Sequence, residues 1–329
     1  MTALYPLKFE PIFKDKIWGG EKIKTLLGKD YGSLANCGET WELSGVKGNV
    51  SVVSNGPLQG KSINDVIEES GSQLLGEHVA HLYGKEFPLL IKFIDANQDL
   101  SIQVHPNDEI AEAKHDCKGK TEMWYVMQAD EGSSLISGFN RALTKEEYIN
   151  HFEAGKLSDI LNREEVTSGD TFFIPAGRVH TIGKGLLIAE IQQTSDITYR
   201  IYDFDRVDAE GNKRELHVEQ ALDAIDYKKY PHYKTQYQDE MNQRTELASC
   251  EFFTTHKLVL NKAFEISSWQ NQSFKIYTCV GGSGEIRYAE GSAVGIKSGE
   301  VLLIPAAMRQ FEIIPKGEIT LLESYIPNA

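Results

Sequence analysis

Residues 169–182 read G-D-T-F-F-I-P-A-G-R-V-H-T-I. The short apolar run 171–174 has the length of a buried strand, bounded by turn residues. Gly169 and Gly177 allow tight turns, and Pro175 ends the strand at a rim. His180 follows directly. Working outward, S-I-Q-V-H-P-N-D (101–108) is a second extended segment. Side chains at i and i+2 of a strand share a face, so Gln103 and His105 enter the same cavity. A third segment, G-K-T-E-M-W-Y-V (119–126), places Glu122 in a β-type run, with Lys120 two positions earlier on the same face. A single histidine is ordinarily a hydrogen-bonded core group. Two imidazoles, a carboxylate and an amide oxygen together suit a borderline divalent ion. Zinc leads, with iron, cobalt and manganese left open.

The chain has 329 residues, room for two domains, with 41% hydrophobic and 25% charged residues. Its net charge of −14 argues against a general binder of nucleic acid or membrane surface. A local cluster of Lys and Arg inside a cleft still leaves room for a small phosphorylated ligand. The four cysteines, Cys37, Cys117, Cys250 and Cys279, form no paired motif and read as free thiols of a reducing compartment. The first residues lack the layout of a signal peptide, and no apolar run reaches about 18 residues. The expected address is the cytoplasm. The Asn-x-Ser matches at Asn49 and Asn271 carry no weight there.

The texture is mainly β. Strands are expected over 50–54, 89–94, 101–104, 122–127, 171–174 and 186–192. More follow over 252–260, 274–280, 284–287, 300–304 and 319–324. Helices are expected over 62–82, capped by Ser62, and over 144–151, where Thr144 and Glu147 form a capping box. A continuation at 158–161 and a short helix at 215–224 complete the set. The polar, tyrosine-rich stretch 226–245 reads as a linker. There is also an internal repeat. S-G-D-T-F-F-I-P-A-G-R-V-H-T-I (168–182) aligns with S-G-E-V-L-L-I-P-A-A-M-R-Q-F-E-I (298–313), so His180 falls on Gln310. T-E-M-W-Y-V-M (121–127) overlies F-K-I-Y-T-C-V (274–280), so Lys275 stands where Glu122 does. The expected division is a catalytic domain over 1–235, with a helical insert near 141–163, and a C-terminal domain over 236–329 without a metal site.

The spacing of Gly169, Pro175, Gly177 and His180 matches the second half-motif of the cupin family. The first half-motif departs from it. Gln103 takes the place of its first histidine, and Glu122 comes only after the interruption 106–119. One cupin family shares these departures: the chain resembles the type I mannose-6-phosphate isomerases in their shorter bacterial form. The resemblance runs from Tyr5 to about Tyr325. It is carried by K-I-W-G-G-E-K-I (16–23), G-E-T-W-E-L-S (38–44), F-P-L-L-I-K-F-I-D-A-N-Q-D-L-S-I-Q-V-H-P-N-D (87–108), 119–126, 169–180 and A-E-I-Q-Q-T-S-D-I-T-Y-R-I-Y-D-F-D-R (189–206).

The resemblance implies two cupin (jelly-roll) barrels and interconversion of mannose 6-phosphate and fructose 6-phosphate through an enediolate. It implies one zinc ion per chain on Gln103, His105, Glu122 and His180. Arg200, Lys120 and Glu190 are the implied catalytic residues, and Ser101, Arg206 and Asp196 the implied substrate contacts. The base at C2 stays open between Glu190, Lys120 and a metal-bound hydroxide. Trp18 to Gly20 and Glu39 to Glu42 read as packing. Two rivals remain: another metal-dependent cupin of the oxygenase type, and a non-catalytic sugar-binding cupin. The expected partner is a small sugar phosphate; the oligomeric state is not given.

Overall fold

Short apolar runs build a β framework whose named strands pair antiparallel among the described residues, seen in a computed structural model that describes residues 3–208, 210–267 and 273–328. Asn271 lies outside the described residues. One sheet has six strands, in the order Ile12–Gly20, Cys37–Leu43, Leu89–Ala96, Leu186–Gln193, Glu122–Ala129 and Thr171–Ile174. A second has five, in the order Tyr199–Tyr202, Ile102–Val104, His180–Ile182, Ser134–Phe139 and Leu161–Glu165. Ile94, Trp124, Phe172 and Ile188 from the first sheet share a buried cluster with Leu135 and Ile182 from the second. The two sheets therefore face each other across a common interior, as in a β-sandwich.

The other faces are covered. Ile102, Val104, Ile136 and Tyr199 pack against Tyr148, Leu157 and Ala221 of the helical segments. The six-stranded sheet packs its outer residues Phe93, Ile91 and Ala189 against Val66, Leu74 and Val79, and against Ile276 and Leu303 of a third sheet. That seven-stranded sheet has its own core around Leu258, Tyr277, Ile296 and Leu321. Leu7, at the start of the chain, pairs with Leu303 and so stitches the N-terminus to this sheet.

Helix 62–82 is corrected to three pieces: Ile63–Ser70, Ser72–Leu75 and Glu77–Tyr83. Gly71 and Gly76 break it by adopting positive φ, where glycine ends a helix at no steric cost. The caps at Ser62 and Thr144 form as expected, each with a full capping box. The interruption 106–119 holds an unexpected helix, Asp108–His115, whose cap is Asn107 accepting from Ile110 N. Strands 274–280 and 284–287 merge into Lys275–Ala289, bulged near Gly281 and Gly284. The segment 50–54 makes only isolated bridges, at Val52 and Val53.

The repeat read from sequence is reproduced in register. Glu122 to Tyr125 pair with Ile174 to Thr171, and Lys275 to Thr278 pair with Ile304 to Val301. Glu190 lies between Lys92 and Trp124, and Glu323 lies between His256 and Tyr277. Trp124 Nε1 donates to Glu190 at 2.9 Å, and the Tyr277 hydroxyl donates to Glu323 at 2.6 Å. The ligand positions diverge. Buried Lys275 replaces Glu122, and Gln310 is exposed where His180 is buried.

Glu323 ion-pairs with Lys275 and with Arg244. Burial opposes its charge, but Arg244 and Lys275 hold its carboxyl down to about 2. A depressed carboxylate contributes stability that is complete above its unfolded value of about 4.3 and is lost as pH falls toward the folded value. Glu323→Gln is expected to cost about 3–5 kcal/mol at pH 7, because it takes the charge out of a buried ion pair with Lys275, and less at pH 3. Urea unfolding at both pH values checks this; an unchanged midpoint at pH 7 counts against it.

Candidate metal centre and active site

Local backbone bonds set the ligands in place. Gln103 pairs with His180, Arg200 pairs with Gln103, and His180 pairs with Ser137, giving one cross-strand row on one sheet face. His105 follows the end of its strand, and its carbonyl accepts from Gly177 N at 2.8 Å. Gly177 has φ +88, and an added Cβ there meets Ala224 O at 2.9 Å, so only glycine makes this turn without strain. On the opposing sheet, Lys120 N donates to Pro106 O at 3.1 Å and Thr121 N to Gln193 Oε1 at 2.8 Å. These bonds anchor Glu122.

His105 Nε2 lies 3.6 Å from Glu122 Oε2, and His180 Nε2 lies 3.4 Å from Glu122 Oε1. The three ligand atoms lie within 4.8 Å of one another, and all three residues are buried. Ligands about 2.0–2.1 Å from a tetrahedral ion stand roughly 3.3–3.4 Å apart, so the spacing fits. The ring tautomers fit as well. His105 Nδ1 meets Ile197 O at 2.9 Å, and His180 Nδ1 meets Arg178 O at 2.8 Å. A carbonyl only accepts, so each Nδ1 carries the proton and each Nε2 presents a lone pair. Apart from Lys120 Nζ at 2.9 Å from Glu122 Oε2, the carboxylate oxygens and His105 Nε2 find no partner in the protein. Buried orphaned acceptors of this kind call for a cation.

Burial pushes both imidazoles down, His180 to about 3 and His105 well below its usual value, the latter helped by Lys120. Both are neutral at neutral pH, as ligation requires. Burial and neighbouring Glu190 push Glu122 up against the pull of Lys120. Burial opposes the charge of Lys120, but Glu122 and Glu190 overcome it and hold the ammonium above its ordinary value. Lys120 is therefore a fixed cation beside the centre.

Gln103 Nε2 lies 3.2 Å from His180 Nε2, while its Oε1 accepts from Ser101 Oγ at 3.2 Å. In this arrangement the amide bonds to a ligand; half a turn about its terminal torsion brings Oε1 there instead. Arg200 donates Nη1 to Glu215 O at 2.9 Å, and its Nε is buried without a partner. Glu190 is held by Lys92 Nζ at 3.0 Å and Trp124 Nε1 at 2.9 Å. Arg206 is tied to Asp203 and Asp99 O. Asp196 is exposed on its loop, and Ser101 is buried.

Sequence reading missed Lys92, and it read Glu39 and Trp41 as packing. Trp41 Nε1 donates to Glu39 Oε2 at 2.7 Å, Lys16 lies 3.3 Å from Glu39, and Lys92 lies over the Trp41 ring at 5.1 Å. Burial works against Glu39's charge, but Lys92 and Lys16 hold its carboxyl down to about 2. The available signal was a single lysine inside the apolar run of Leu89–Ala96, every residue of which is buried. A cavity of about 640 Å³ lined by Ile102, Thr181, Phe152 and Tyr202 contains none of these residues.

A histidine–carboxylate centre inside paired antiparallel sheets, reached through a Gly–Pro–Gly–His turn, defines a cupin-type protein with a metal-ready site. Residues 6–136 match the family described as phosphomannose isomerase type I, catalytic domain, and residues 243–326 match mannose-6-phosphate isomerase, cupin domain. Mannose-6-phosphate isomerase ManA of Bacillus subtilis is 37% identical over 94% of this chain and 95% of its own. Mannose-6-phosphate isomerase of Streptococcus mutans is 34% identical over 97% and 98%. The crystal structure of the mannose 6-phosphate isomerase from Bacillus subtilis superposes with TM-score 0.85 at 33% identity, covering 97% of this chain and 99% of that one. The chain belongs to the type I mannose-6-phosphate isomerase family.

Proposed function

We propose that this chain interconverts mannose 6-phosphate and fructose 6-phosphate at the His105–Glu122–His180 centre. The observation that carries the reading is the pair of unprotonated Nε2 atoms facing a buried carboxylate, with the Lys120 ammonium beside it. The nitrogen-and-oxygen donor set favours zinc, one ion per chain, with Gln103 as a fourth ligand through Oε1. When bound, the ion polarises the substrate's C1 and C2 oxygens.

The remaining work falls to side chains. An aldose–ketose exchange moves one proton from C2 to C1 and another from O2 to O1, and negative charge grows on oxygen between the two. Lys120 and Arg200 meet that charge with preorganised donors. Glu190, kept ionised by Lys92, takes up the proton at C2 and returns it at C1. Ser101, Arg206 and Asp196 hold the distal part of the substrate, and that remote binding aligns the reacting carbons.

The chain divides, in this reading, into a catalytic cupin barrel over 1–235 and a metal-free barrel over 236–329. Free Cys37, Cys117, Cys250 and Cys279 fit the reducing cytoplasm. Among the described residues no helix is long and apolar enough to cross a membrane.

A coupled assay converting mannose 6-phosphate to fructose 6-phosphate tests the proposal. Steady turnover is expected. Sugar phosphate binding without turnover favours the non-catalytic reading, and oxygen uptake favours the oxygenase. The same assay tests the second barrel: Gln310→Ala is expected to leave kcat within about twofold and metal content unchanged, since surface substitutions away from special features have small effects. Loss of metal from folded Gln310→Ala protein contradicts the division.

A further inference from the structure

We infer that Arg214 is a further substrate-recognition residue, joining Arg206 in a guanidinium pair, preset by Asp203, that takes the dianionic phosphate group. This rests on the sugar-phosphate reading above and adds a residue to it.

Asp203 is buried, just beyond the strand Tyr199–Tyr202. Arg206 places Nη2 at 2.5 Å from Asp203 Oδ1 and Nε at 3.2 Å from Asp203 O. Arg214 places Nε at 2.7 Å from Asp203 Oδ2, and its Nη2 also bonds Oδ1. One carboxylate thus holds two planar forks in fixed orientations, and Arg214 keeps Nη1 off the carboxylate. Arg206 Nη1 is taken by Asp99 O, so the Nη1 side of Arg214 is what the corner offers to a phosphate oxygen as a charge-assisted donor.

The charge count points the same way. Arg206, Arg214 and Lys213 against Asp203 and Asp205, all lining one pocket, leave an excess of one positive charge. A phosphate monoester carries close to two negative charges at neutral pH. Burial first, and Arg214 next, pull the Arg200 guanidinium below its ordinary value, as expected of a cation crowded by cations. In a chain of net charge −14, this local excess is what attracts an anion.

The corner is hollow. A cavity of about 40 Å³, space for about three waters, is lined by Arg206, Lys213, Arg214, Asp203 and Asp205. One water needs roughly 10–15 Å³ measured this way. The backbone is bent to build this corner. Phe204 and Asp205 adopt φ 56 and 55, a region that residues with side chains seldom occupy. That turn brings Arg206 back onto Asp203, and the Val207–Lys213 bridge returns Arg214 to the same carboxylate.

Arg214→Ala in the full, metal-loaded chain is expected to raise KM for mannose 6-phosphate on the order of 10–100-fold, the size of a lost charge-assisted bond. kcat should stay within about threefold, and inorganic phosphate should inhibit more weakly by a similar factor. Arg214→Lys keeps the charge but not the fork, and it serves if the alanine variant does not fold; roughly a tenfold rise in KM is expected. Unchanged KM and unchanged phosphate inhibition in a folded variant overturn the inference, as does a fall in kcat alone. Calorimetric titration with inorganic phosphate reads the cluster independently of turnover. Weakened phosphate binding in the variant beside a wild type that does not isomerise supports the cluster and overturns the isomerase reading.

Discussion

His180→Ala is expected to empty the metal centre and lower turnover by at least about 10³-fold. The imidazole is fully buried, oriented by Arg178 O, and one of two that face Glu122. Disturbing groups that merely orient a ligand costs about 10–100-fold in metal affinity, so removing a ligand costs more. The loss would also remove the Lewis acid that the proposed ion supplies to the reacting oxygens. Elemental analysis of purified protein, paired with circular dichroism to confirm folding, measures the first effect; the coupled assay measures the second. A folded variant that retains a full complement of ion contradicts the ligand assignment. Gln310→Ala, at the matching position of the sequence repeat, is the internal control.

Arg200→Ala separates chemistry from metal binding. Arg200 stands beside Gln103 in the cross-strand row but donates to Glu215 O and to none of the ligands. Its substitution is expected to keep about one ion per chain and lower kcat by roughly 10²-fold or more, the usual cost of a lost oxyanion donor. KM should change less than kcat if the contact forms mainly in the transition state. A rise in KM alone moves Arg200 into the phosphate cluster with Arg206 and Arg214, leaving Lys120 to meet the oxyanion. No change in either parameter removes Arg200 from the site.

The residues legible in sequence are those whose roles depend on local spacing. Thr171–Ile174, the turn at Gly177 and buried His180 all lie within one fourteen-residue stretch, and the period of two puts Lys120 on the face of Glu122. The capping boxes at Ser62 and Thr144 are local in the same sense. What escaped is set by pairing across distance. Lys92 meets Glu190 only through strand register, and Arg214 reaches Asp203 only through a turn with two positive-φ residues. Helix Asp108–His115 was hidden because only Ala111 is fully buried, leaving almost no apolar period to read. Helix 62–82 looked continuous because its apolar spacing survives across Gly71 and Gly76, although the backbone does not.

The most direct test of the account is metal depletion followed by stepwise return of zinc, with isomerase turnover and bound metal measured on the same samples. Turnover of mannose 6-phosphate is expected to disappear with the ion, return in proportion to zinc added, and saturate at about one ion per chain, because the seven-stranded sheet carries Lys275 and exposed Gln310 at the positions matching Glu122 and His180. Turnover that persists in metal-free protein, or that requires two ions per chain, would contradict it.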